Sequence, residues 1–398
     1  MEENNNTLNV KKIAKWKIAL IIVGAILGTI VLVVGGYVGY VLLSYNRIGN
    51  VELSVEGAAS KEVVNVDEEL VATTYNIGFG AYSQDYTFFL DTGYDAEGNP
   101  TCGYYSKARS YDDVVFNTNG AINTIKELSP DFALFQEVDT NSTRSYHVNQ
   151  DEVIMDNFTS YSHTHAKNFH TAFLPYPLYD MHGVVNAGLT TMSRYQINHA
   201  ERKEYTIADD LSKLFDLDRC FSVNKIKVNN DKNLYIVNSH MSAYDEGGKI
   251  RETQMQELNA FLNECKNEGA YVVIGGDFNH DLLTYNPSFN YNTSDHRAHN
   301  MNKKTPDWIS YFFLEDGKSP LVDGYKVAIN DNHPTCRNND IEWDPKETFV
   351  ATVDGFIVSD NIEINNVEVI QTKNGKKHID GFAYSDHEPV KLSFKLLA

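Results

Sequence analysis

Six times along this 398-residue chain an apolar run gives way to acid, amide or imidazole residues, and that grammar restricts the fold more than any other feature. The sharpest instance is Tyr271-Val272-Val273-Ile274 running into Gly275-Gly276-Asp277-Phe278-Asn279-His280-Asp281. The β-branched run predicts a buried strand, and the glycines predict a sharp backbone turn where it emerges. An acid and an amide two residues apart then project from a strand's carboxyl end, where open α/β sheets place their ligands. Alone, such a cluster is equally a tight turn; five further instances tip the balance.

Residues Ile18 to Leu43 contain no charge. A helix rising ~1.5 Å per residue outreaches a ~30 Å hydrocarbon core over that length, so residues 18–44 read as a transmembrane helix. The residues that follow, Ser44-Tyr45-Asn46-Arg47, offer no small-residue cleavage site, which disfavours a signal peptide. Lys11, Lys12, Lys15 and Lys17 precede the segment and Arg47 alone follows closely. The positive-inside rule therefore predicts a single-pass cell-membrane protein with residues 1–17 as a cytoplasmic tail and the rest outside. Residues 45–68 read as a polar tether and residues 69–398 as one α/β domain.

The net charge is −20. Five Lys or Arg against two Glu make residues 1–50 about +3, which leaves the remainder near −23. Solubility explains such a charge, but it also repels a polyanion unless metal ions or basic patches offset it. No basic, aromatic-interleaved stretch offers a grip on nucleic acid. Cys102, Cys220, Cys265 and Cys336 lie far apart without Cys-x-x-Cys spacing, so neither a zinc site nor a disulfide framework is implied. A bridge between Cys102 and Cys336, joining two long insertions near 78–113 and 282–348, is compatible with an extracellular domain.

Along the domain, Leu70–Tyr75, Phe132–Phe135, Ala187–Met192, Phe221–Val228 and Leu234–Asn238 are predicted strands, and 351–358, 362–371 and 390–396 complete the set. Gly120–Leu128 and Lys249–Glu268 are predicted helices, the latter with Met255, Leu258, Phe261, Leu262 and Cys265 on one stripe.

In order, the polar clusters are Tyr75-Asn76, Gln136-Glu137, Asn238-Ser239-His240, Gly276-Asp277-Phe278-Asn279, Val353-Asp354-Gly355-Phe356 and Ser385-Asp386-His387. Glu137-Val138-Asp139 leading to Ser142-Thr143-Arg144-Ser145, and Gly188-Leu189 leading to Ser193-Arg194-Tyr195, accompany them. The set resembles the endonuclease/exonuclease/phosphatase superfamily over residues 69–398. That superfamily includes DNase I-like nucleases, neutral sphingomyelinases and inositol-phosphate phosphatases. The resemblance implies a four-layer α/β sandwich of two packed mixed sheets flanked by helices, with the site at one edge. One departure is Gly355-Phe356, where many members carry an aromatic directly after the aspartate.

The residue types suit phosphoester hydrolysis. Mg²⁺ takes oxygen ligands and keeps several waters, so Glu137, Asn76 and Asp386 suffice as its protein ligands, with Mn²⁺ or Ca²⁺ as alternatives. A metal on a non-bridging oxygen lowers the barrier to attack by an in-line water. Asp277 is placed to take that water's proton and Asn279 to donate to the developing charge. A carboxylate at Asp354 raises the pKa of His387, which then binds phosphate as a cation or acts as the base. The choice of base between Asp277 and His387 stays open at this level. His240 is expected to protonate the leaving oxygen or hold a phosphate, and Arg194 to contact phosphate. His163, His165, His170 and His182 read as structural or surface groups. His163-Thr164-His165 suits a transition metal only if carboxylates converge on it.

These expectations sum to a membrane-anchored, extracellular, Mg²⁺-dependent phosphoesterase acting on a phospholipid headgroup or small phosphorylated molecule. The alternatives are an extracellular nuclease and a catalytically silent binding module on the same fold.

Overall fold

Two seven-stranded mixed sheets form the centre of residues 47–398. The computed structural model describes residues 15–95, 97–243, 248–279, 282–283, 321–330 and 332–398. A separate unit ends at Asn46 and holds the helix Lys15–Ser44, long and apolar enough to cross a membrane.

The first sheet runs in the order Val51–Glu52, Ile197–Glu204, Cys220–Lys227, Asn233–His240, Tyr271–Asp277, Asp354–Ser359, Tyr325–Ala328. Its one parallel pair, Asn233–His240 with Tyr271–Asp277, is joined through the helix Lys249–Glu268, the crossover that parallel strands require. The second sheet runs Ile362–Val369, Val390–Leu396, Glu69–Asn76, Phe132–Asp139, Asn186–Ser193, Ser162–His170, Glu56–Gly57. Facing residues such as Leu70, Phe132 and Leu134 of one sheet and Ile236, Val273 and Phe356 of the other form one dry core. Outside the first sheet, Met255, Leu258 and Leu262 of the long helix cover Val272 and Ile274. Outside the second, Ala121, Ile122 and Ile125 with Ile154 cover Tyr75 and Phe135. Helix, sheet, sheet and helix make the four-layer sandwich that the resemblance implied.

Four features differ from the sequence reading. The helix expected at Gly120–Leu128 runs from Tyr111 to Glu127, capped by Ser110, whose side chain accepts from Asp113 N. Its first half was hidden because polar residues face inward there. Asp113 is buried against Lys376 and Arg109, and Asn117 donates to Gly80 O. Ser162–His170, rich in histidine, is a strand.

The supposed tether is not free chain. Arg47 pairs with Asp218, Leu53 N donates to Ala200 O, Val64 N to Lys227 O, and Asp67 N to Leu396 O. Residues 51–52 and 56–57 close one edge of each sheet. Lastly, Gly275 and Gly276 do not turn the chain, for both lie within the strand. A Cβ on Gly276 would stand 1.9 Å from Ser239 O, and one on Gly275 2.7 Å from Leu134 across the core, so close approach explains both. The turn comes at Asn279, with φ of 54°.

Candidate active site

Three neighbouring strands of the first sheet end in one row of titratable groups. The register sets His240 beside Asp277 and Asp277 beside Asp354, so the three side chains share a face. All are buried. Opposite them, Asn76 and Gln136 pair in the second sheet, and Glu137 follows inside a β-bulge with φ of 53°. Bulges re-aim side chains, and this one frees Glu137 from the strand's alternation.

The Asn76 amide joins the two sheets: Nδ2 donates to Asp277 Oδ2 at 3.0 Å and to Glu137 Oε1 at 3.3 Å. Its Oδ1, the atom expected on a metal, accepts from Gly78 N at 3.0 Å. Beneath it, Gln136 Nε2 donates to Asn238 Oδ1 at 2.7 Å, a second tie between the sheets.

Asp386 and His387 arrive on the loop before Val390–Leu396, the strand beside Glu69–Asn76. Ser385 Oγ donates to Asn76 O at 2.8 Å and so fixes that loop to the strand end. The His387 ring lies between two aspartates: Nδ1 is 2.8 Å from Asp354 Oδ2, and Nε2 is 3.8 Å from Asp277 Oδ2. Asp386 Oδ2 accepts from Asn339 Nδ2 at 2.9 Å. Asn279 serves Asp277 through its backbone, with N donating to Oδ1 at 2.8 Å, while its side-chain amide donates to Met241 O at 2.8 Å.

Burial raises the Asp277 pKa above the usual carboxylate range, helped by Asp354 and opposed by the His387 charge. Burial alone would lower the His387 pKa, yet the net direction is well upward. The Cys336 thiol beside it is pushed up to about 12 by burial and is therefore neutral at pH 7, so Asp354 and Asp277 are the charges that hold His387 protonated. His240 goes the other way. Burial, then Arg219 and His387, hold its pKa well below the ordinary value. A neutral imidazole donates a hydrogen bond but is not the stored acid expected from the sequence.

Glu137 is raised by burial, with the nearby Asp386 raising it further and Arg144 opposing. Among the described residues neither Glu137 nor Asp386 has an ion-pair partner. Glu137, with the Asn76 amide against it and Asp386 near enough to raise its pKa, offers oxygen donors of the kind a hard divalent ion takes.

Arg194 is not part of this constellation. Its guanidinium donates to Ser129 O, Pro130 O and Tyr161 OH and lies 3.5 Å from Asp131. Those partners flank Phe132, the start of a strand whose other end carries Glu137, roughly 17 Å away at ~3.3 Å per residue.

Sequence reasoning gave no role to three residues that shape the site. Asn339, in the second insertion, orients Asp386. Arg144 clamps Asp139 with two bonds of 2.8 and 3.1 Å, lies 3.9 Å over the Phe79 ring and lends positive charge to Glu137. Arg219, one residue before the strand Cys220–Lys227, is buried with Nε and Nη1 unpartnered. Arg144 stood in a recognised motif, whereas the other two carried no spacing signal.

The four cysteines are unpaired, so the Cys102–Cys336 bridge is not formed. A carboxylate does converge on His163-Thr164-His165: Asp151 Oδ1 lies 2.8 Å from His163 Nε2 and 3.3 Å from His165 Nδ1 and also accepts from Thr190 Oγ1. His280 and Asp281 lie outside the described residues.

The sequence model of the Endonuclease/Exonuclease/phosphatase family matches residues 114–387. No curated protein matches the chain. Among solved structures, an endonuclease/exonuclease/phosphatase from Beutenbergia cavernae DSM 12333 is 14% identical with a TM-score of 0.51, over 83% of this chain and 72% of that one. The human Nocturnin catalytic domain with bound sulfate anion is 12% identical with a TM-score of 0.50, over 86% and 97% of the two chains. ANGEL2, a 2',3'-cyclic phosphatase, in complex with adenosine-2',3'-vanadate is 14% identical with a TM-score of 0.50, over 87% and 99%. At such identities these likenesses bear on fold alone.

Proposed function

Because the chain belongs to the endonuclease/exonuclease/phosphatase family, we propose that it is a membrane-anchored, metal-dependent hydrolase of phosphoric esters whose domain, residues 47–398, faces the outside of the cell. One observation carries this reading. Asn76, Glu137, Asp277, Asp354, Asp386 and His387 come from five separate stretches and meet within a single hydrogen-bonded neighbourhood.

In this reading Glu137 and Asp386 hold Mg²⁺ with the help of Asn76. The bound cation supplies charge withdrawal from a phosphoryl oxygen. Asp277 accepts the proton of the attacking water: its Oδ1 is fixed by Asn279 N, and its Oδ2 lies between Asn76 and the two imidazoles. His387, kept protonated by its aspartates, binds a phosphoryl oxygen as a cation, and neutral His240 donates a hydrogen bond. The acidic domain and the candidate membrane helix favour a phospholipid headgroup or small phosphorylated molecule over nucleic acid.

The test is to assay the purified full-length chain against sphingomyelin, bis-p-nitrophenyl phosphate and plasmid DNA, with Mg²⁺ and then EDTA. Chelator-sensitive turnover of either of the first two is expected. Plasmid nicking that falls steeply with salt would move the substrate to nucleic acid. Metal-dependent cleavage of none would sink the reading.

A further inference from the structure

Two loops leave the domain at the strand ends that carry the candidate site, and they hold its most exposed apolar side chains. Residues 205–219 join Ile197–Glu204 to Cys220–Lys227; in register, Glu204 pairs with Cys220, Cys220 with His240 and His240 with Asp277. At ~4.8 Å per strand, the root of that loop lies ~14 Å from Asp277. Residues 171–185 join Ser162–His170 to Asn186–Ser193, whose Ala187 pairs with Asp139, two positions past Glu137. Among the described residues of the domain, the four most exposed large apolar side chains are Leu178 at 76%, Leu211 at 74%, Tyr176 at 66% and Tyr179 at 60%, all on these loops. From Tyr179 a file of stacked and edge-on rings runs inward through Tyr104, Tyr105, Tyr86 and Tyr82, with neighbouring centroids 4.9 to 5.4 Å apart. It ends beside the site: a Cβ on Gly78 would stand 3.0 Å from Asp386 Oδ1 and closer still to the Tyr82 ring.

The chain enters the domain at the same place. Arg47 donates to Asp218 Oδ1 and to Tyr205 O, and Ile48 N donates to Asp218 Oδ2. Buried Arg202 donates to Ile48 O, Gly49 O, Lys167 O and Asp218 O. It thereby binds the entering chain to the root of residues 205–219 and to the strand that leads into 171–185. Leu217 of one loop packs on Phe169 and Val185 at the root of the other. The candidate membrane helix ends at Ser44, so Tyr45 and Asn46 alone precede the anchored Arg47. Three peptide steps span at most ~11 Å.

From where the chain enters and what is exposed beside it, we propose that this end of the domain docks on the bilayer that anchors the chain, with Tyr176, Leu178, Tyr179, Leu211 and Phe215 in the interfacial layer. Exposed apolar clusters mark interaction surfaces, and tyrosine suits a boundary where one end of the ring is apolar and the other wet. A bilayer within ~11 Å of Arg47 is present at all times, whereas a soluble partner has to be captured. Charge selects the kind of surface. Residues 205–219 hold Asp209, Asp210, Asp216 and Asp218 against Lys213 and Arg219, so they lack the basic cluster that grips anionic lipid, and a zwitterionic surface such as phosphatidylcholine fits. For its chemistry the inference rests on the reading given under Proposed function, and it narrows the substrate to the headgroup of a lipid in the same membrane, presented to the site without leaving the bilayer.

The test uses the full-length chain in phosphatidylcholine proteoliposomes. Leu178→Cys, Leu211→Cys and, at the opposite strand ends, Lys232→Cys are each labelled with an environment-sensitive fluorophore in a Cys102→Ser background, which removes the exposed native thiol. Nitroxide-labelled phosphatidylcholine is expected to quench the labels at 178 and 211 and to spare the one at 232. In parallel, the double variant Leu178→Asp with Leu211→Asp should turn over bis-p-nitrophenyl phosphate as wild type does. It should hydrolyse sphingomyelin mixed into the bilayer ~10-fold more slowly or worse, the least effect of losing one buried leucine. Labels at 178 and 211 that escape quenching, or are quenched no more than the label at 232, overturn the docking surface. Emission that shifts with protein concentration in place of lipid gives the surface to a second copy of the chain and overturns it too. Quenching as expected in a protein that hydrolyses neither substrate leaves the docking surface standing and removes the hydrolase reading instead.

Discussion

The molecule holds two clusters in which histidine meets aspartate, and they are built to opposite ends. On the second sheet, Asp151 takes His163, His165 and Thr190 on one oxygen, tying the helix Gln150–Asn157 to two strands. At the strand ends, the His387 ring lies between Asp354 and Asp277, a third carboxylate stands at Glu137, and Asp354 Oδ1 is buried without a partner. Three donors saturate the first acceptor. In the second cluster, Glu137 and Asp386 have no ion-pair partner among the described residues. A carboxylate whose donors come from the fold holds the fold together; crowded carboxylates with spare lone pairs call for something from outside, a cation or a proton in flight.

That contrast makes predictions of decreasing size. His387→Ala should lower kcat/KM by ~10²–10⁴, the usual span for a group acting in proton transfer or charge stabilisation, with the thermal midpoint little changed. His165→Ala should leave turnover within about twofold, since no reacting atom depends on it. Equal losses from the two variants would erase the distinction.

Asp151→Ala should show the reverse pattern. Leaving two imidazoles and a hydroxyl without their acceptor costs about 1–3 kcal/mol of stability, read by denaturant unfolding, at unchanged kcat. A stable but inactive Asp151→Ala protein would move the chemistry to the wrong cluster.

A third histidine gives a smaller, purely structural effect. Burial first, and Arg144 second, hold His182 down to about 3, so the folded state carries it neutral. Because this value lies below the unfolded 6.5, the unfolded chain binds the proton first. Stability is then fully present above pH 6.5 and drains away as pH falls toward 3. The loss by pH 5.5 is about 1.4 kcal/mol, and His182→Gln should flatten that part of the profile. An unchanged profile in His182→Gln would assign the acid sensitivity elsewhere.

Much of the strand-end cluster was legible because its signals are local. An apolar β-branched run followed by Asp277 or Glu137 announces a strand and its end within a dozen residues. The same logic failed at Arg194 for a tertiary reason. Asn186–Ser193 runs antiparallel to Phe132–Asp139, so the residue after its last position leaves the sheet on the side away from the site. Strand direction is set by partners far off in sequence. Residues 47–68 were misread similarly, because pairs such as Val51 with Arg202 have no trace in local composition. Asn339 and Arg219 act from loops, which no periodicity marks. The inward polar face of Tyr111–Glu127 was opaque because its partners, Gly80 and Lys376, come from distant loops.

The most direct measurement is the rate of phosphoester hydrolysis by EDTA-stripped full-length chain as Mg²⁺ is returned, for wild type and Asp277→Asn side by side. If the strand-end cluster is a hydrolytic centre, wild type recovers turnover with Mg²⁺ and Asp277→Asn, equally folded, recovers ~10²-fold less or lower still. Turnover that survives EDTA, or returns equally in both proteins, would contradict it.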